Sequence, residues 1–77
     1  MPHVSIKYHS REFTDEQKEA LADAVSAVVE RHFSTYEGAV SIALEPYPAA
    51  DWHEAVYLPE ITGRDHLLIK APDYRTT

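Results

Sequence analysis

Residues 14 to 33 read TDEQKEALADAVSAVVERHF, and this stretch decides the fold. Thr14-Asp15-Glu16-Gln17 is a capping box, in which the Thr14 hydroxyl and the Gln17 side chain satisfy backbone donors reciprocally at a helix start. Leu21, Val25, Val28, Val29 and Phe33 follow at spacings of four, three, one and four, forming one apolar stripe. Asp15, Glu16 and Glu19 in the opening turns and Arg31 and His32 at the close suit the helix dipole. The pattern predicts a helix to about residue 33, with Gly38 marking the turn beyond it.

Before this helix, Val4, Ile6 and Tyr8 alternate with His3, Ser5 and Lys7, which is the pattern of a half-buried strand. After it, Val40, Ile42 and Leu44 alternate with Ala39, Ser41, Ala43 and Glu45, a second such strand. Strand, helix and strand make a βαβ unit, whose strands run parallel and whose crossover is right-handed. Because each strand has only one apolar face, the fold class is a two-layer α/β domain with the crossover helix on one face of the sheet. Two strands and one helix form little core, and their free edges invite a second protomer to extend the sheet.

Pro46, Pro48, Pro59 and Pro72 punctuate the last third. Ala49 to Tyr57 reads as a short helix with Trp52, Ala55 and Val56 on one side. Beyond Pro59, Ile61, Leu68 and Ile69 fit helical spacing, while His66 to Lys70 fits a strand equally well.

Length and composition narrow the function. Seventy-seven residues make one domain, spanning 1–77, and a net charge of −6 with scattered cations makes a poor polyanion binder. A chain this short buries only about 60% of its unfolded surface and has no cysteine to staple it, so self-association is expected. No apolar run nears the roughly 20 residues that span a bilayer. Met1-Pro2-His3-Val4 lacks the basic start of a signal peptide, so the expected compartment is the cytoplasm.

Cysteine nucleophiles are absent, and Gly38 and Gly63 are too few for a phosphate loop. His3, His9, His32, His53 and His66 show no metal-ligand spacing, so no metal site is expected. Most carboxylates decorate the helix, where a solvated face explains them. The N-terminus remains. Removal of Met1 would leave Pro2 with a secondary amine held in a rigid ring, a base that needs no side chain and that desolvation keeps unprotonated.

Met1-Pro2-His3-Val4, the helix opening Asp15-Glu16-Gln17-Lys18, the strand Ser41-Ile42-Ala43-Leu44-Glu45 and Trp52 together resemble the tautomerase superfamily, and most closely the 4-oxalocrotonate tautomerase family. Tyr57, Pro59-Glu60-Ile61 and the run from Leu68 to Tyr74 are similar to its dimeric branch, which includes the bacterial tautomerase of phenylpyruvate type. The resemblance implies a cofactor-independent keto-enol tautomerase, an isomerase acting on a small 2-oxo acid such as an arylpyruvate. It implies Pro2 as general base after loss of Met1, no metal or organic cofactor, a homodimer and short C-terminal helices, tipping residues 60 to 70 towards helix.

Two departures stand out. The family's arginine before the long helix falls at Glu12 counting forward and at Phe13 counting back, with Arg11 the nearest arginine and the candidate for holding a carboxylate. The arginine of the second strand is Ser41 here, which offers a neutral hydroxyl in place of a charged fork. Trp52 falls where the family walls its pocket with an aromatic ring, and with Tyr57 and Phe13 it favours a monocarboxylate with a hydrophobic tail. The alternative function is a non-catalytic dimeric α/β interaction module that kept the fold.

Overall fold

Thr14 caps the long helix as its sequence dictates. Its hydroxyl accepts from the Gln17 N–H at 3.1 Å, and its own N–H donates to Gln17 Oε1 at 2.9 Å. The computed structural model, which describes residues 1–74, runs this helix, α1, from Asp15 to Phe33. It joins β1 (His3–His9) to β2 (Ser41–Tyr47), and the two strands pair in parallel with His3 opposite Ser41 and His9 opposite Tyr47. The expected βαβ unit is therefore present.

β2 continues through Pro46, which the sequence reading left outside the strand. Proline has no N–H to give a ladder, and it survives here because β2 is an edge strand that can turn that position outward. The ladder also reaches past both strand ends, with Ser41 N–H donating to the Pro2 carbonyl at 3.2 Å and Ser10 N–H to the Tyr47 carbonyl at 2.9 Å.

α1 ends at Phe33 as its pattern predicts, with Ser34 as its C-cap. Ser34 adopts the left-handed conformation at φ 53°, and the N–H groups of Ser34 and Thr35 both donate to the Glu30 carbonyl. Gly38 belongs to a short 3-10 turn, Glu37–Ala39, that leads into β2.

The last third departs most from expectation. A 3-10 turn (Ala49–Asp51) leads into a π-helix (His53–Thr62), and residues 60 to 70 do not form one helix. The break comes at Gly63. Its N–H donates to the Leu58 carbonyl at 2.8 Å, and a Cβ there would stand 2.8 Å from the Pro59 carbonyl oxygen. The wide turn closes around a residue without a side chain; among the described residues a 3-10 turn (Asp65–Leu67) is the one helical element that follows, and Ile69 is fully exposed.

Packing is thin. Among the described residues the buried hydrophobics are Val29, Val56 and Tyr57, while Val28 and Phe33, both members of the apolar stripe, face outward. An open apolar cleft of about 410 Å³ separates Leu21 and Ala22 of α1 from Ile42 and Leu44 of β2. The radius of gyration is 14.2 Å, against about 11–12 Å for a compact chain of this length. Accessible surface is 6029 Å², where a folded monomer of this mass exposes about 4,700 Å².

Candidate active site

The strand pairing divides the predicted site residues into two groups. Pro2 and Ser41 meet at the N-terminal end of the sheet, because the register that sets His3 opposite Ser41 brings the Ser41 N–H to the Pro2 carbonyl. Arg11 and Trp52 lie at the other end, beyond His9. The seven residues of β1 separate the two ends by roughly 20 Å at about 3.3 Å per residue.

At the Pro2 end, a cavity of about 410 Å³ is lined by Met1, Pro2, Phe33, Ser34 and Thr35. Met1 is 94% exposed and Phe33 67% exposed. With Met1 attached, the Pro2 nitrogen is an amide with no basicity. The return of the chain at Ser34 is what sets the C-terminus of α1 beside the start of β1. One hydrogen bond dominates the polar face here: His3 Nδ1 and Ser41 Oγ are 2.6 Å apart.

At the far end, His9 meets Trp52 edge-on at 4.8 Å, and the Trp52 indole N–H donates to the Tyr74 hydroxyl at 3.3 Å. Lys7, Tyr8, His9, Trp52 and Tyr74 line a cavity of about 480 Å³. Arg11 lays its guanidinium over Phe13 at 4.4 Å, and Phe13 meets Tyr8 edge-on at 5.6 Å. Tyr57 is the predicted wall residue least open to a ligand. It is 6% exposed, stacked under His53 at 5.3 Å and tilted against Tyr74 at 6.0 Å.

Charge follows the same division. Lys7 and Arg11 belong to the aromatic end, and Lys18 lines the neighbouring cleft beside Tyr8. Among the described residues, no lysine or arginine lines the Pro2 cavity. Midway along the polar face, Glu45 accepts from Ser5 and, at 3.2 Å, from Lys7. The Ser5 hydrogen bond first, and the Lys7 hydrogen bond next, hold the Glu45 carboxyl below the usual carboxylate range. The same bond to Glu45 raises Lys7 above its ordinary value. Both groups are open to water, so this pair adds little stability.

Two contributors escaped the sequence reading. His3 read as a surface histidine, and only the strand register reveals its partner 38 residues away. Phe33 read as the last core position of the helix stripe, and nothing in a 3.6-residue period tells that the chain turns back beside Pro2. Among the described residues, no group of three or more His, Cys, Asp or Glu is placed to hold a metal ion, and no helix is long and apolar enough to cross a membrane.

Comparison with known proteins bears on this arrangement. A family model described as tautomerase enzyme matches residues 2–56, a match that begins at Pro2 itself. Proteins named Tautomerase PptA are similar over 96% of this chain and 97% of their own length, with 43% identity in Enterobacter sp. strain 638 and 47% in Klebsiella pneumoniae. The counterpart in Escherichia coli is 38% identical over the same span. With the βαβ unit, the proline at its head and a match across most of its length, the chain belongs to the tautomerase family of isomerases.

Proposed function

We propose that the protein interconverts the keto and enol forms of an arylpyruvate-like 2-oxo acid, with the amine of Pro2 as general base once Met1 is removed. The observation that carries this reading is the Pro2 end of the sheet. A proline fixed by the Ser41 N–H borders an open cavity with an exposed phenyl ring, and a fully accessible Met1 is all that blocks its nitrogen. In the enol-to-keto direction, the Pro2 nitrogen takes the enol hydroxyl proton as the C2 carbonyl forms and returns a proton to C3. One proton moves from oxygen to carbon, and no redox partner or cofactor enters the balance.

A second copy completes the site in this reading. The exposed surface exceeds that of a compact monomer by more than the ~800 Å² that one partner gives to a standard interface. Pro46 blunts the outer edge of β2, whereas β1 carries no proline from His3 to His9. Antiparallel pairing of β1 with the partner's β1 sets each Pro2 end beside the partner's aromatic end. The base and Phe33 then come from one protomer, and Lys7, Arg11 and Trp52 come from the other to hold the carboxylate and wall off water. Tyr57 supports Tyr74 from beneath in this arrangement. Such a homodimer of a cofactor-free enzyme works in the cytoplasm on a small soluble acid.

The test is turnover of phenylenolpyruvate by processed protein beside a form that keeps Met1. Activity in the processed form alone is expected. Equal activity in both forms overturns Pro2 as the base, and absence of activity in both favours a non-catalytic module.

A further inference from the structure

We propose that His3 is a positioning residue that fixes the Ser41 hydroxyl as the donor to the substrate's 2-oxo oxygen. This rests on the tautomerase reading above and concerns how the site works without an arginine on β2. Ser41 Oγ and His3 Nδ1 are 2.6 Å apart, a short hydrogen bond between side chains on facing positions of a parallel pair. A free serine hydroxyl rotates among three staggered wells, and only one of them points its proton at a given acceptor. A bonded imidazole removes that freedom. When the imidazole proton sits on Nδ1, the ring donates to Oγ, and the hydroxyl proton of Ser41 is left to point elsewhere.

The place it can serve is set by the backbone. The Ser41 N–H holds the Pro2 carbonyl at 3.2 Å, and His3 follows Pro2 by one peptide unit, ~3.8 Å between α-carbons. The pair therefore stands at the same end of the sheet as Pro2, one residue along β1 from it and across the ladder. As the base withdraws a proton from the substrate, negative charge gathers on the 2-oxo oxygen, and a donor already oriented there stabilises that charge without reorganising. Lys7 and Glu45 lie further along the same face and are bonded to each other, so neither competes for the Ser41 hydroxyl. This donor acts on the transition state more than on the bound acid, so its loss falls on kcat.

The experiment measures kcat and KM with phenylenolpyruvate for processed wild type, His3→Ala, His3→Asn, Ser41→Ala and the double variant His3→Ala/Ser41→Ala. Ser41→Ala is expected to lower kcat by about tenfold to a hundredfold with KM within about threefold. His3→Ala should lower kcat less, and the double variant should match Ser41→Ala alone, since His3 acts only through that hydroxyl. His3→Asn places an amide near the former Nδ1 and should recover most of the loss. Additive single effects, a loss carried by KM, or His3→Asn no better than His3→Ala overturns the inference while leaving Pro2 as the base. Processed wild type without turnover overturns both.

Discussion

The two ends of the sheet are built from opposite materials. The Pro2 end is made of backbone and small polar groups: a proline, a carbonyl held by an N–H, three hydroxyls, an imidazole and one exposed ring. The His9 end is made of aromatic area and cations, with Trp52, Tyr74, Tyr8 and Phe13 packed around Lys7 and Arg11. The first could move a proton but could not grip an anion. The second could grip an aromatic acid but lies a strand's length from the Pro2 nitrogen of its own chain. Under the proposed pairing, the difference teaches how a chain this short can divide a site between its ends and use symmetry to reunite them.

The strongest way to break this comparison is to disable one end at a time. Pro2→Ala should cost roughly two to four orders of magnitude in kcat/KM while the fold survives. Trp52→Ala should raise KM. Unfolded together and refolded, the two inactive or weakened chains should regain roughly a quarter of wild-type sites. Half the random pairs are mixed, and each mixed pair rebuilds one intact site of its two. Recovery no greater than the sum of the separate variants would show that each chain carries its own complete site.

Phe33→Ala addresses the apolar element of the Pro2 end. It should reduce the preference for an aryl over a short alkyl 2-oxo acid by about tenfold in kcat/KM, with stability little changed because the ring is exposed. A uniform loss for both substrates would assign Phe33 to the interface instead. At the opposite end, Thr14→Ala removes the cap behind Phe13 and Arg11. It should cost about 1 kcal/mol, seen as a Tm lower by about 4–8 °C, with kcat preserved after correction for folded protein.

The smallest effect belongs to Glu45, between the two ends. Its carboxyl is held below the ordinary range by Ser5 and Lys7, so it is charged more readily in the folded chain than in the unfolded one. The resulting stability is present above the unfolded value and is lost as pH falls through the folded one. Glu45→Gln should therefore lower Tm slightly in the neutral region, leave it unchanged in acid below the folded value, and so flatten the acid limb of Tm against pH. The raised Lys7 works in the other sense, its contribution fading only as pH climbs through its folded value.

The helix and the strands were legible because their signals are local. The capping box at Thr14 and Gln17 and the strict alternation around Ile6 and Ile42 need no tertiary information. Pro2 was legible as a candidate because its chemistry depends on position in the chain. His3 was not, since its meaning lies in a register between residues 38 apart. The π-helix escaped because its wider turn has no 3.6-residue period, and Pro59 reads as punctuation where the structure keeps it inside a helix, while Gly63 ends the helix within the stretch expected to continue it. Phe33 failed the core expectation for a different reason: the buried part of the stripe is at Val29, and the helix surface at Val28 and Phe33 is left uncovered in this chain.

That uncovered surface ties abundance to survival. With Val29, Val56 and Tyr57 as the buried apolar residues among those described, a lone protomer holds little free energy of its own. Under the proposed pairing, the melting temperature climbs with the logarithm of protein concentration, as for any fold that assembly stabilises. Dilution would then thin the active population and expose the remainder to proteases in the same step. A cell making only traces of this chain would keep less than its synthesis rate implies.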